Sequence, residues 1–264
     1  MKLKAYWITV LVLFFLVVVI KNIPAHWGLW MANAPLQMSG VSGTIWHGKA
    51  ASVVLPVDDN SYALGEVQWQ LSPWSLLAIN PCVDLKTKLE DQQLSGTACI
   101  GLGGALQLQN AQIVVPAKVA EIFAPIVEVQ GELLMHVDSL QFDSNQVQQI
   151  SGSGSWSGAR FYNSTSWVSL GTLGFEFNED GQGGVNAKIF DVEGPVQLQL
   201  DSQFNLIGDY QTEGEIQLRP NAPQEIADLL NNYTNVSREV QEVLSLFVEA
   251  KGRGLYSIRW VNGS

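Results

Sequence analysis

The sequence predicts a mainly β protein: an N-terminal transmembrane helix, then a curved, largely antiparallel, repeated β-sheet of open-barrel or sandwich-like form. A short central helix and a C-terminal helical insertion interrupt the sheet. Three observations lead there. Charged residues make up 15% of the chain, with 47% hydrophobic residues and 24 glycines; that balance suits short strands and tight turns better than a helical bundle. Apolar and polar residues alternate with period two in run after run. Finally, an apolar residue, Ser, Gly and a small hydroxyl residue follow one another at 41–44, 94–97 and 150–153. That recurrence suggests a β unit used more than once, although chance gives the same word in a chain rich in Gly and Ser.

Residues 5–20 are uncharged and mostly apolar, preceded by Lys2 and Lys4 and closed by Lys21. As a helix they reach roughly 24 Å at ~1.5 Å per residue, enough to span a bilayer core once the flanking lysines snorkel. A cleaved signal peptide is the rival, but Ile23-Pro24-Ala25 places a bulky residue where a cleavage site needs a small one. The segments are therefore 1–21, cytoplasmic tip and anchor; 22–34, juxtamembrane linker; and 35–264, a β-rich body. The lysines at the start place the N-terminus in the cytoplasm and the body outside, with one crossing of the membrane. Tyr6 and Trp7 before the apolar run, with Trp27 and Trp30 after it, fit interfacial belts; for Trp27 and Trp30 ordinary core packing stays open.

Without the three lysines of the first segment, 11 basic residues stand against 25 acidic ones, a charge of about −14. A body that acidic has no basic stripe with which to release counterions, so nucleic acid is not a partner to expect.

The cysteines number two, Cys82 and Cys99. In residues 83–90, Val83, Leu85 and Leu89 share one face, and Asp84, Lys86, Lys88 and Glu90 the other. Residues 94–100 can fold back on them. A turn centred on Glu90 and Asp91 sets Cys82 opposite Cys99, within disulfide range. A shift of two would offset the cysteines, and two reduced thiols remain the alternative. The disulfide is the expectation for an oxidising compartment such as the periplasm.

Along the body, residues 35–57 read as two or three strands bent at Gly40, Gly43 and Gly48, with Trp46 filling the space that the bend creates and Pro56 and Asp58-Asp59-Asn60 as an exit loop. In 64–71, Val67, Trp69 and Leu71 oppose Glu66, Gln68 and Gln70. Pro73 ends that strand, and a single apolar turn holding Trp74 follows, as core packing or as a partner-binding aromatic corner. Pro116 opens the short central helix over 116–123. Strand patterns then continue to Leu218, with loops near 145 and 178. Ile226, Leu229 and Leu230 behind Pro223, and Val240, Val243, Leu244 and Phe247 behind Ser237, predict a pair of helices at about 223–250. Leu255 onward returns to strand. No composition break demands a second domain.

Chemistry is sparse. His26, His47 and His136 lack metal-ligand spacing, and no P-loop, GxSxG or dinucleotide fingerprint occurs. The Gly103-Gly104 and 181–184 clusters lack the lysine of a phosphate cradle. Asp58-Asp59 and Glu179-Asp180 read as solvated loop carboxylates ahead of a loose calcium site. The expectation is a protein that is not an enzyme, with no cofactor and no metal.

The order of features resembles a family, protein N of the type II (general) secretion pathway of Gram-negative bacteria. The likeness rests on the N-terminal anchor, Val41-Ser42-Gly43-Thr44-Ile45-Trp46-His47-Gly48, Val67-Gln68-Trp69-Gln70-Leu71-Ser72-Pro73-Trp74-Ser75-Leu76-Leu77, the two cysteines, and a final strand over 252–260. Its motif residues here are Gly43, Trp46, Gly48, Trp69, Pro73 and Trp74, which are structural rather than catalytic. The resemblance implies a bitopic inner-membrane protein with a periplasmic β domain, an accessory part of the export machinery that contacts other secretion subunits, the inner-membrane platform or the secretin. A distant likeness to AsmA-like periplasmic proteins supplies the alternative, a lipid-binding or lipid-transfer module with an apolar groove.

Overall fold

The computed structural model describes residues 2–27, 37–57, 60–77, 79–101, 103–122, 128–143, 146–163, 165–205, 209–236 and 245–262. The chain divides into two compact units, Met1–Leu102 and Gly103–Ser264. No composition break marks that division.

The first unit begins with α1 (Lys2–Lys21), followed by β1 (Gln37–Ser39), β2 (Ser42–Gly43), β3 (His47–Val57), β4 (Asn60–Leu71), α2 (Pro73–Leu77), β5 (Cys82–Leu89) and β6 (Gln92–Ile100). The strands pair antiparallel in the order β1-β3-β4-β5-β6, with β2 beside the start of β3. Ala50, Val53 and Val67 form its buried centre, with Trp69 and Leu64 packed against them. Along α1, the side chains from Tyr6 to Ile20 are exposed. Among the described residues no helix is long and apolar enough to cross a membrane, so the fold by itself does not support the expected transmembrane span.

The second unit contains β7 (Leu106–Pro116), a 3-10 turn (Ala117–Ile122), β8 (Val129–Asp143), β9 (Gln146–Tyr162), β10 (Trp167–Glu179), β11 (Val185–Glu193), β12 (Val196–Phe204), β13 (Tyr210–Leu218), α3 (Gln224–Thr234), β14 (Leu246–Gly252) and β15 (Leu255–Asn262). Neighbours pair antiparallel from β7 to β13, and β15 then precedes β14. Period two sets the faces. In β12, Val196 and Leu198 are buried while Gln197 and Gln199 are exposed. The inward residues of β9, β10, β12, β14 and β15 join one cluster, and α3 closes it with Ile226 and Leu230. Tyr256 fastens the helix by donating its hydroxyl to Asn231 Oδ1 at 2.9 Å. Among the described residues the sheet of this unit is not closed into a barrel, and α3 packs over the part of its apolar face that holds the main cluster.

Four expectations change. Leu246–Gly252 is a strand, so Phe247 is not part of a second C-terminal helix; Val240, Val243 and Leu244 lie outside the described residues, as do Trp30, Asp58 and Asp59. Its β-branched and aromatic run, Leu-Phe-Val, pairs with β15, and that pairing outweighs local helical spacing. The loop foreseen near 145 is shorter, because Gln146 already begins β9. Pro56 lies within β3 rather than in an exit loop. The recurring Ser-Gly word does not mark a repeated unit: it closes β2 at Gly43, lies within β6 at Gly96, and lies within β9 at Gly152.

Candidate functional site

Residues 41–48 form the seam between α1 and the first sheet. Thr44 and His47 close a tight turn, with the Thr44 amide donating to the His47 carbonyl at 2.8 Å. Gly43 has φ +92°, and a Cβ there would lie 2.5 Å from that same carbonyl oxygen. Only glycine meets both conditions without strain. The turn aims Trp46 at the helix, and its Nε1 donates to the Ile20 carbonyl at 2.7 Å. That carbonyl belongs to the last turn of α1, where backbone acceptors lack intrahelical partners. The Ile45 amide donates to the Ile23 carbonyl at 3.1 Å, and Pro24 bridges Thr44. Ala25 is buried beside this join.

Trp46 therefore does not fill the space above the bent sheet. Trp69 does that: it faces Gly48 across β3 and β4, and a Cβ on Gly48 would lie 2.3 Å from Trp69 Cζ2. The second unit repeats the device, with Phe177 facing Gly152, Phe175 facing Gly154 and Phe190 facing Gly174. An aromatic ring covers the strand where glycine leaves it bare. Sequence reading missed these pairs, because a glycine's facing residue is set by register and not by spacing.

Pro73 opens α2 and carries Trp74 outward. Trp74 is 78% exposed, so the core-packing expectation for it fails. The corner is nevertheless tightly built. The Ser75 hydroxyl donates to the Ser72 carbonyl at 2.7 Å and accepts the Cys82 amide at 2.9 Å. The Asn80 amide donates to the Ser75 carbonyl at 3.0 Å. Cys82 is bonded to Cys99, and β5 and β6 pair in the register that a Glu90–Asp91 turn requires. Exposed Leu76, Ile79 and Ile100 share this corner.

Elsewhere Glu179 and Asp180, read as solvated loop carboxylates, accept backbone amides. Asp180 Oδ1 accepts the amides of Gln182 at 2.7 Å and Gly184 at 2.8 Å, and these bonds hold its carboxyl below the ordinary range. Glu179 accepts the Ile150 amide. His136 lies 3.2 Å from Asp138, and His47 closes the turn above. Among the described residues no group of three or more metal-binding side chains converges. The second unit has two open grooves, one lined by Glu176, Lys188 and Asp201, the other by Glu213, Glu249 and Arg259. Charged side chains line both, beside apolar Phe177 in the first and Phe247 and Ile258 in the second.

The family model of type II secretion system protein N matches residues 34–245. The chain belongs to this family. A type II secretion system protein N of Vibrio cholerae serotype O1 is 25% identical over 246 residues, 90% of each chain. A protein of the same name from Aeromonas hydrophila is 23% identical over 230 residues, 85% of this chain and 83% of the relative. No solved structure matches the chain. As a protein N family member it is an accessory component of type II secretion. The match takes in the Gly43–Gly48 seam, the Trp74 corner and the disulfide, while α1 precedes the matched residues.

Proposed function

We propose that this protein N family member is a non-catalytic scaffold of the type II secretion machinery, anchored in the inner membrane by α1 with both β units in the periplasm. The anchor is supported by the exposed apolar side chains that surround α1, including Leu11, Phe14 and Phe15. A helix apolar all round needs lipid or protein about it rather than water. The orientation follows Lys2 and Lys4, and the disulfide suits an oxidising compartment.

The observation that carries the scaffold reading is the seam at Ile20. Trp46, Ile45 and Thr44 attach the end of α1 directly to the first sheet, so helix and sheet move as one body and force or position can pass between them. Partners are other secretion subunits, met along the exposed strands and the acidic faces. In vivo photocrosslinking from positions along β14 and the Glu90–Asp91 turn tests this. Adducts with inner-membrane platform or secretin subunits are expected; the absence of any secretion subunit from every position would overturn it. The lipid-module alternative is not favoured, since α3 packs Ile226 and Leu230 onto the main apolar cluster of the second unit.

A further inference from the structure

The first unit is polarised from end to end. β4 finishes beside α1: the Leu71 amide donates to the Trp46 carbonyl at 2.8 Å, and the Trp46 indole reaches Ile20. β5 begins and β6 finishes at the same end, because the Ser72 amide donates to the Cys82 carbonyl and the Ile100 amide to the Pro81 carbonyl, each at 3.0 Å. Four segments meet there, 22–27, 40–48, 71–83 and 97–101, and none contains Asp, Glu, Lys or Arg, in a chain with 25 acidic residues. The large hydrophobic side chains that this end exposes are Trp74 at 78%, Ile79 at 65%, Trp27 at 61% and Ile100 at 53%, beside the exposed but uncharged or weakly basic Asn22, His26, Ser42 and His47. The opposite end of the same strands carries the Glu90–Asp91 turn. At ~3.3 Å per residue, strands of this length hold the two ends roughly 25–40 Å apart.

We propose that this uncharged end is a membrane footing: Trp74, Ile79 and Trp27 sink into the interfacial layer of the bilayer that α1 enters, on the side of the β body. The inference rests on the anchor reading and goes beyond it, since a helix alone would fix the depth of the chain but not the tilt of its sheet. Three features select a bilayer surface over water or a protein. The apolar side chains gather around the exit of α1, where the interface of its membrane must lie. Tryptophan is the side chain best suited to that layer, with an apolar body and one polar N–H. No ionised group has to be desolvated, and no carboxylate meets anionic lipid headgroups. The corner is also presented rather than loose, since the Ser75 bonds and the disulfide hold α2 outward.

The full chain in nanodiscs of phosphatidylethanolamine and phosphatidylglycerol, carrying a nitroxide through an encoded ketone residue at one position at a time, tests this. Collision with oxygen, which concentrates in lipid, is compared with collision with a water-soluble nickel chelate at positions 13, 74, 79 and 91. The proposal expects positions 74 and 79 to favour oxygen several-fold over position 91, at shallower depth than position 13. Position 13 in lipid with 74 and 79 as nickel-accessible as 91 overturns the footing alone and assigns the corner to a protein partner. Position 13 in water overturns the anchor reading, and the footing with it.

Discussion

Single residues in this protein are constrained by backbone that approaches too closely for a side chain. At Gly43 a Cβ would lie 2.5 Å from the His47 carbonyl oxygen in a left-handed conformation. Gly43→Val should therefore destabilise the first unit by on the order of 2–4 kcal/mol, seen as a lower urea midpoint. A variant that folds with normal stability and loses only partner binding would contradict this. Asp180 offers a pH-dependent case. The amides of Gln182 and then Gly184 favour its charged form in the folded turn. Its folded pKa is depressed, so the stability it adds is present above the ordinary carboxylate pKa and is lost as pH falls through the folded value. A carboxyl NMR titration should place the Asp180 midpoint below that of an exposed aspartate, and a midpoint at or above it would refute the capped turn.

Among the elements, the β5–β6 hairpin is closed twice, by backbone pairing and by a disulfide across 17 residues of sequence. Replacing both Cys82 and Cys99 with Ser should remove about 3 kcal/mol by freeing the unfolded chain, measured by urea unfolding; dithiothreitol should lower the wild type to the same midpoint and leave the variant unchanged. The junction of α1 with the sheet holds one side-chain bond, from the Trp46 indole, beside two backbone links. Trp46→Phe keeps the ring and loses the bond to Ile20, about 1 kcal/mol, so the Ile45 amide should exchange with solvent about fivefold faster. Unchanged exchange would mean that the Pro24–Thr44 bridge holds the junction alone. The hairpin and its register were legible in the sequence, because strict alternation and two cysteines leave few alignments. The destination of Trp46 was not: its partner carbonyl is 26 residues away, and nothing in a Trp-His-Gly triplet says whether the ring turns inward or toward a helix end. Phe247 misled for a related reason, since helical spacing over 240–247 carries no information about the strand, β15, that waits to pair.

For the whole molecule, composition and alternation were enough to give an antiparallel β protein with little helix. Which residues would stand in solvent was not readable. Trp74 follows a proline in an apolar turn, a pattern that serves equally for a core plug and a surface corner, and only the bonds of Ser75 and Cys82 decide it. The family assignment then joins the physical features into one account: a helix locked to a sheet, a fixed apolar corner beside that lock, and acidic faces beyond. The proposed scaffold joins α1 and the first sheet into one anchored body within type II secretion. The most direct test measures export of a folded substrate across the outer membrane in a strain lacking this protein, complemented with the full chain or with Trp46→Ala. The account predicts reduced export in the deletion strain, full recovery with the native chain and incomplete recovery with Trp46→Ala at equal abundance. Undiminished export in the deletion strain would contradict it.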